Sequence, residues 1–277
     1  MKRFSLTTLM TLAGMVMAVQ AQTSNGLLFE QINMTEKYRV DIPEEDRFDD
    51  RTYYQISTVA WQWPVSHNGK VPVNLQRAIL ENNSAPADIR EVLRTSMRVS
   101  VLNEDYRLIP VKDVPNNAGS ALMEDQDLLN VEYADTRIAV LRQQTYVYSG
   151  GAHGNNGTLY ICYDLQKDKE ITSDEVIANK KGVEKLILKK LMDRYGCNSL
   201  ETLSEHLFLA NFEVTDNIRI DSNGITFVYN APAAHLLWAT APAITGIRHT
   251  ERLHTKVELF CLLRGMFQVD VHQAFYL

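Results

Sequence analysis

The 277-residue chain has too few cysteines for a disulfide framework, since it contains only Cys162, Cys197 and Cys261. An odd number of cysteines cannot pair completely within one chain, and widely spaced cysteines do not define a disulfide-rich scaffold. We therefore expect buried free thiols that behave as small apolar side chains.

Long apolar runs are absent beyond residue 21, and a spanning helix needs roughly 18 or more apolar residues. Residues 1–21 combine Lys2 and Arg3, an apolar stretch from Leu9 to Val19, and a small-residue site ending at Ala21. This pattern predicts a secretory signal peptide, so the mature protein is expected to be exported and not integral to a membrane. An uncleaved anchor is the alternative, but its apolar part is only about half of the roughly 20 residues required.

Positive charge is also scarce. The net charge is −6, and removal of residues 1–21 would make it −8. Between Glu30 and Asp50 there are eight carboxylates against three basic residues. Nucleic-acid binding requires a basic surface, so this class of partner is excluded. The acidic stretch suits a cationic partner or forms a solvated surface.

Catalytic motifs are missing as well. The sequence contains no G-x-S-x-G, H-E-x-x-H or C-x-x-C pattern. His249 and His254 are five residues apart, a spacing that does not set both on one helical face. We therefore predict no catalytic residue, no metal site and no cofactor. A zinc site assembled from His153, His249 and His254 is the open alternative.

Hydrophobic periodicity predicts an α+β fold with antiparallel sheets and hairpins packed against a few helices, in two small lobes. Residues 52–65 read as a strand, 128–164 as further strands, and 212–230 as a hairpin turning at Asn223-Gly224. Helices are predicted at 73–82, at 84–97 with Ser84 as N-cap, and at 182–195 with Gly196 as the stop. Residues 27–40 read as an edge strand, and 103–127 as an irregular connection.

The segment from Tyr148 to Asp164, "YSGGAHGNNGTLYICYD", is the most distinctive in the chain. A catalytic His153 would need a nucleophile or a carboxylate, and the local sequence offers only Ser149 and Asp164. The glycines at 150, 151, 154 and 157 suggest a backbone that adopts left-handed conformations, with histidine and asparagine capping it. This composition favours a shaped turn over an active site.

The same segment resembles the signature of the domain of unknown function 3298 (DUF3298) family. The resemblance rests on a Y-x-G-G-A-H loop followed by a strand and an aspartate. The matching residues are Tyr148, Gly150, Gly151, Ala152, His153 and Asp164, with Asn156 in the same loop. The region from "YYQISTVAWQWPV" onward resembles a companion domain, domain of unknown function 4163 (DUF4163). After Asn230 the chain departs from the family pattern, from about Pro232.

These observations give four predicted regions: a signal peptide at 1–21, a DUF4163-like region at 22–127, a DUF3298-like domain at 128–231 and an atypical tail at 232–277. The resemblance implies a periplasmic or extracellular module of the bacterial envelope. Relatives include the lysozyme-binding extracytoplasmic part of an anti-sigma factor. The expected function is non-enzymatic binding of a basic, lysozyme-like protein or a cell-wall fragment. The alternative is a peptidoglycan hydrolase or deacetylase that uses His153.

Overall fold

Strict alternation of buried residues organises the longest strand. In β3 (Thr52–His67) the odd-numbered residues from Tyr53 to Trp63 are all buried, and the intervening ones are partly exposed. Successive side chains of a strand point to opposite faces, so this pattern gives the sheet one packed face. The predicted strand at 52–65 is confirmed. The turn that follows it has Asn68 at φ 50° and Gly69 at φ 79°.

The computed structural model describes residues 22–24, 26–81, 86–207, 213–221, 224–230 and 267–271. The predicted signal peptide and most of the predicted tail lie outside these residues. The remaining strands are β1 (Gln22–Ser24), β2 (Leu27–Asp41), β4 (Arg107–Pro110), β5 (Ser120–Ala134), β6 (Ile138–Tyr148), β7 (Asn155–Asp164), β8 (Lys169–Glu170), β9 (Ile218–Asp221), β10 (Gly224–Tyr229) and β11 (Phe267–Val271). The helices are α1 (Val73–Leu80), α2 (Ile89–Met97), α3 (Ser173–Val176), α4 (Lys180–Tyr195) and α5 (Leu200–Leu207), with a 3₁₀ turn at Glu44–Asp46.

The described strands form an eight-stranded sheet in the order β1-β2-β3-β5-β6-β7-β8, with β4 beside β2, and a three-stranded sheet in the order β11-β10-β9. Among the described strands only the β3–β5 pairing is parallel, and α1 and α2 lie in the connection between these two strands. The mostly antiparallel sheets with a few helices confirm the α+β class. Among the described helices, none is long and apolar enough to cross a membrane.

Strands β6 and β7 are packed on both faces. Ala139 and Leu141 belong to a core beneath α1 and α2, whereas Val140 and Cys162 belong to a second core beneath α4 and the smaller sheet. Because side chains alternate between the two faces of a strand, adjacent residues of β6 and β7 belong to two different cores.

The expected free thiols are confirmed for Cys162 and Cys197, which are both buried, while Cys261 lies outside the described residues.

Three local predictions need correction. Residues 103–127 are not wholly irregular, since they contain β4 and the first half of β5. Strand β2 is not a free edge, because β3 pairs with one side of it and β1 and β4 pair with the other. The N-cap of α2 is Asp88, whose carboxylate accepts from the Arg90 backbone N–H at 2.8 Å. Ser84 lies outside the described residues.

The helix predicted at 182–195 is present as α4, with Val183, Ile187 and Leu191 buried. It ends at Gly196, whose φ of 66° is the left-handed conformation that glycine adopts without strain. The boundary predicted at 127/128 falls inside β5, and the two-region division remains a prediction.

Candidate functional site

Two loops emerge at the same end of the large sheet. Thr52 at the start of β3 pairs with Ser120 at the start of β5, and Glu124 of β5 pairs with Tyr148 at the end of β6. The β2–β3 loop (42–51) and the β6–β7 loop (149–154) therefore leave the sheet on one side. We call these two loops together the loop end of the sheet.

The loop at 149–154 has the turn geometry that its glycines predict. Gly150 and Gly151 have φ values of 102° and 92°, which side-chain-bearing residues rarely adopt. The Tyr148 hydroxyl donates to the Gly151 carbonyl at 2.9 Å and closes the turn. Ala152 and His153 are exposed at its tip.

The other two glycines serve a different purpose, so the prediction of left-handed backbone is wrong for Gly154 and Gly157. A Cβ on Gly154 would lie 2.6 Å from Cζ of Tyr146, and a Cβ on Gly157 would lie 2.7 Å from Oγ1 of Thr145. At either position a Cβ would force the neighbouring Tyr146 or Thr145 side chain to move, because that side chain lies against the backbone. The backbone of Asn156 lies in the β6–β7 ladder, opposite Tyr146, and capping of the loop by its side chain remains a prediction.

His153 and Asp164 do not form a catalytic pair. His153 lies at the loop end, with Nδ1 3.4 Å from the Gly154 carbonyl oxygen. Asp164 lies at the far end of β7, and ten residues of strand at about 3.3 Å each separate the two by roughly 30 Å. Asp164 instead accepts from the backbone N–H groups of Lys167 at 2.9 Å and Gln166 at 3.0 Å. These hydrogen bonds lower the pKa of the Asp164 carboxyl, and the bond from Lys167 has the largest effect.

A metal site finds no support among the described residues, where no group of three or more His, Cys, Asp or Glu side chains could hold an ion. The zinc alternative drew on His249 and His254, and both lie outside the described residues.

The other loop of the loop end, at 42–51, is acidic and carries an exposed aromatic ring. Ile42 is buried in a third small core and anchors the loop, whereas Phe48 is 70% exposed. The two arginines of the loop are engaged within it. Arg47 Nε donates to the Ile42 carbonyl at 3.3 Å, and Arg51 pairs with Asp49 at 2.7 Å. The carboxylates at 44, 45, 46 and 50 are exposed and lie on either side of Phe48 in the chain.

Sequence reasoning missed two charged residues on the packed face of the sheet, Asp125 and Asp127 of β5. They pair across the parallel ladder with Ser57 and Val59, on the same face as Met123. Burial raises the pKa of Asp125 to about 7, and the neighbouring Asp127 carboxyl adds to this shift. Burial also raises the pKa of Asp127 to about 6. The sequence did carry a signal, since aspartates occupy alternate positions between Met123 and Leu129. Because residues 103–127 were predicted to be an irregular connection, this alternation was not interpreted as a strand.

No family model matches this chain, and no curated protein matches it. Two solved structures are similar to this chain. A DUF3298 family member from Bacteroides fragilis is 15% identical with a TM-score of 0.52, and the match covers 76% of this chain and 86% of that one. A DUF3298 family protein from Pseudomonas aeruginosa is 14% identical with a TM-score of 0.43, covering 74% and 84%.

The first of these similarities extends over most of both chains, and at this identity it concerns the fold alone. The resemblance to the DUF4163 region and to an anti-sigma factor remains a prediction. The chain therefore shares the α+β fold of a solved DUF3298 protein.

Proposed function

We propose that this protein is an exported, non-enzymatic binding module of the bacterial envelope whose partner is a basic, lysozyme-like protein. The observation that carries the proposal is the loop end of the sheet. There the exposed Phe48 has carboxylates on either side of it in the chain, and the exposed loop at 149–154, the glycine–histidine loop, leaves the sheet on the same side. Interfaces combine an aromatic anchor with a surrounding polar rim. Complementary charge accelerates association and selects the partner.

The local charge supports a cationic partner in particular. From Asp41 to Arg51 the chain has six carboxylates and two arginines, and both arginines are already bonded within the loop. An unbalanced set of exposed carboxylates attracts a basic surface over about one Debye length, roughly 8 Å at physiological salt. A cell-wall fragment is the second ligand class that the resemblance implies, and it is tested in parallel.

The experiment is retention of hen lysozyme by the immobilised chain from residue 22 onward. Retention at micromolar concentration that weakens at about 1 M salt would support the proposal, because surface charges are then screened within about 3 Å. Phe48→Ala and the double variant Glu44→Gln/Glu45→Gln should each weaken retention. The matched control is Asp193→Asn/Glu201→Gln, which neutralises two exposed carboxylates on α4 and α5. Absence of retention by the wild-type chain would remove the lysozyme version.

The enzymatic alternative has a separate test. A hydrolase or deacetylase that uses His153 should release sugar or acetate from peptidoglycan fragments, and His153→Ala should abolish the release. Binding of fragments without release, unchanged in His153→Ala, would leave the cell-wall binding version standing.

A further inference from the structure

Positive charge is concentrated on α4, although the chain as a whole is acidic. The helix has six lysine or arginine residues and two carboxylates, a net charge of +4, whereas the whole chain carries −6. Lys181, Lys185 and Lys189 are exposed and recur every four residues, so they lie along one side of the helix. We call this exposed side, which Lys190 and Arg194 extend toward the C-terminal end, the basic face of α4.

The stability of the helix does not explain this arrangement. Lys185 has a lysine four residues away in each direction, and such like-charge pairs destabilise a helix. Lys181 lies in the first turn, which contains no acidic residue and where the helix dipole disfavours a cation. Cations placed against the preference of their own helix indicate contact with an anionic partner.

That partner does not come from the described part of the same molecule. Lys180, at the start of the helix, pairs with two carboxylates. Among the described residues, however, no carboxylate forms an ion pair with Lys181, Lys185 or Lys189, and all three are exposed. The basic face of α4 is therefore open to another molecule.

The loop at 42–51 has the opposite charge and an exposed ring. Its carboxylates at 44, 45, 46 and 50 are exposed, and so is Phe48. On α4, Leu188 and Met192 lie beside the basic face and are only partly buried, so they offer apolar contact to such a ring. The two surfaces are complementary in charge, and each adds apolar area to the contact.

The two surfaces do not meet within one molecule. The core beneath α4 includes Val140, whereas the loop end begins after Tyr148, eight residues further along β6. At about 3.3 Å for each strand residue, these positions are roughly 26 Å apart. No ion pair between described residues joins α4 to the loop at 42–51. Contact between the two surfaces therefore requires two copies of the chain.

We infer that the loop end of one copy binds the basic face of α4 of a second copy. Each copy has both surfaces, so the contact is head-to-tail and either continues into a chain of copies or closes into a ring. The inference rests on the same loop end as the proposed function. A second copy and a lysozyme-like protein therefore compete for it, and capture of the basic partner releases the self-association.

The test is sedimentation velocity of the chain from residue 22 onward, from micromolar to millimolar concentration. The wild type should associate in low salt and dissociate at about 1 M salt, where surface charges are screened within about 3 Å. Lys185→Gln/Lys189→Gln and Glu44→Gln/Glu45→Gln should each weaken association at least tenfold. A mixture of these two variants should form dimers and nothing larger, because each variant keeps one of the two surfaces.

The matched control is Lys70→Gln/Lys112→Gln, which neutralises two exposed lysines outside α4 and should associate as the wild type does. Lys185→Gln/Lys189→Gln should still retain lysozyme, whereas the loop variant should lose both interactions. The salt response uses the wild-type protein, so it decides the matter even if a variant folds poorly.

Three results would overturn the inference: a wild-type chain that stays monomeric in low salt, association that does not respond to salt, or unchanged association in Lys185→Gln/Lys189→Gln. Binding to phosphatidylglycerol vesicles that is lost in this variant, without self-association, would assign the basic face to an anionic lipid surface and would also overturn it. Lysozyme retention without self-association would refute this inference alone, and the reverse pattern would refute the lysozyme partner alone.

Discussion

One amide holds both oxygens of a carboxyl on the neighbouring strand: Gln143 Nε2 of β6 lies 2.9 Å from Oδ1 and 3.1 Å from Oδ2 of Asp127 on β5. Gln143 is 4% exposed, so water does not readily replace it as a donor. The pair ties β5 to β6 at the centre of the packed face.

Replacement of Gln143 by Met should therefore destabilise the protein more at high pH than at low pH. The pKa of Asp127 is about 6, so at pH 8 its carboxylate would lose its amide donor while charged. The expected loss is about 1–3 kcal/mol at pH 8 and less at pH 5, measured by urea unfolding. Gln144→Met is the control, because Gln144 points to the opposite face. Equal losses at both pH values would contradict the role assigned to the amide.

The aspartate pair should make the wild-type protein lose stability as the pH rises from about 4 to about 7. The ordinary carboxyl pKa is 3.8, and burial raises it in the folded state to about 7 for Asp125 and about 6 for Asp127. The folded state therefore binds these protons more tightly, and the contribution present below pH 4 is lost through the higher pKa values. One pKa unit corresponds to about 1.4 kcal/mol, so the effect is of the order of a few kcal/mol.

The quantity that tests this prediction is the free energy of unfolding of Asp125→Asn minus that of the wild type, measured at pH 4, 6 and 8. This difference should become more favourable to the variant with rising pH, because asparagine cannot ionise. Carboxyls whose pKa is lowered, such as those of Asp135 and Asp164, contribute less to the stability of the folded state in acid. That change is the same in both proteins, so it cancels in the difference. A difference that does not change with pH would show that Asp125 is not perturbed by burial.

Gly154→Ala should disturb the glycine–histidine loop by steric collision. The added Cβ would lie 2.6 Å from Cζ and 2.7 Å from Oη of Tyr146, so the ring must move. Overpacking of this kind costs about 1–3 kcal/mol. The double variant Gly154→Ala/Tyr146→Ala should show less than the sum of the single losses in thermal or urea unfolding, because removal of the ring relieves the clash. Additive losses would refute the contact as the cause.

Cys162 should resist alkylation in the native protein. Burial raises the pKa of its thiol to about 12, and its Sγ donates to the Ile218 carbonyl at 3.2 Å. Only the thiolate reacts, so iodoacetamide at pH 8 should label Cys162 only after unfolding, as read by peptide mass spectrometry. An introduced Asn198→Cys, at an exposed position, should label rapidly and serves as the positive control. Rapid native labelling of Cys162 would show that the second core opens readily.

The sequence by itself determined the local features of this protein. Alternation in residues 52–65 decided which side chains of β3 face the core, because neighbouring strand residues point to opposite faces. Spacing of Val183, Ile187 and Leu191 predicted α4, and Gly196 predicted where it ends. Paired glycines at 150 and 151 predicted a turn, because positive φ is a property of the residue itself.

Only the tertiary structure decided which distant residues meet. The parallel pairing of Thr52 with Ser120 joins positions 68 residues apart, and no local pattern specifies it. That pairing brings the acidic loop and the glycine–histidine loop to one end of the sheet. It also turns Asp125 and Asp127 toward the packed face, opposite Ser57 and Val59 of β3. Strand partners are chosen by the combined burial of several elements, so a carboxylate that looks exposed in the sequence can lie inside the fold.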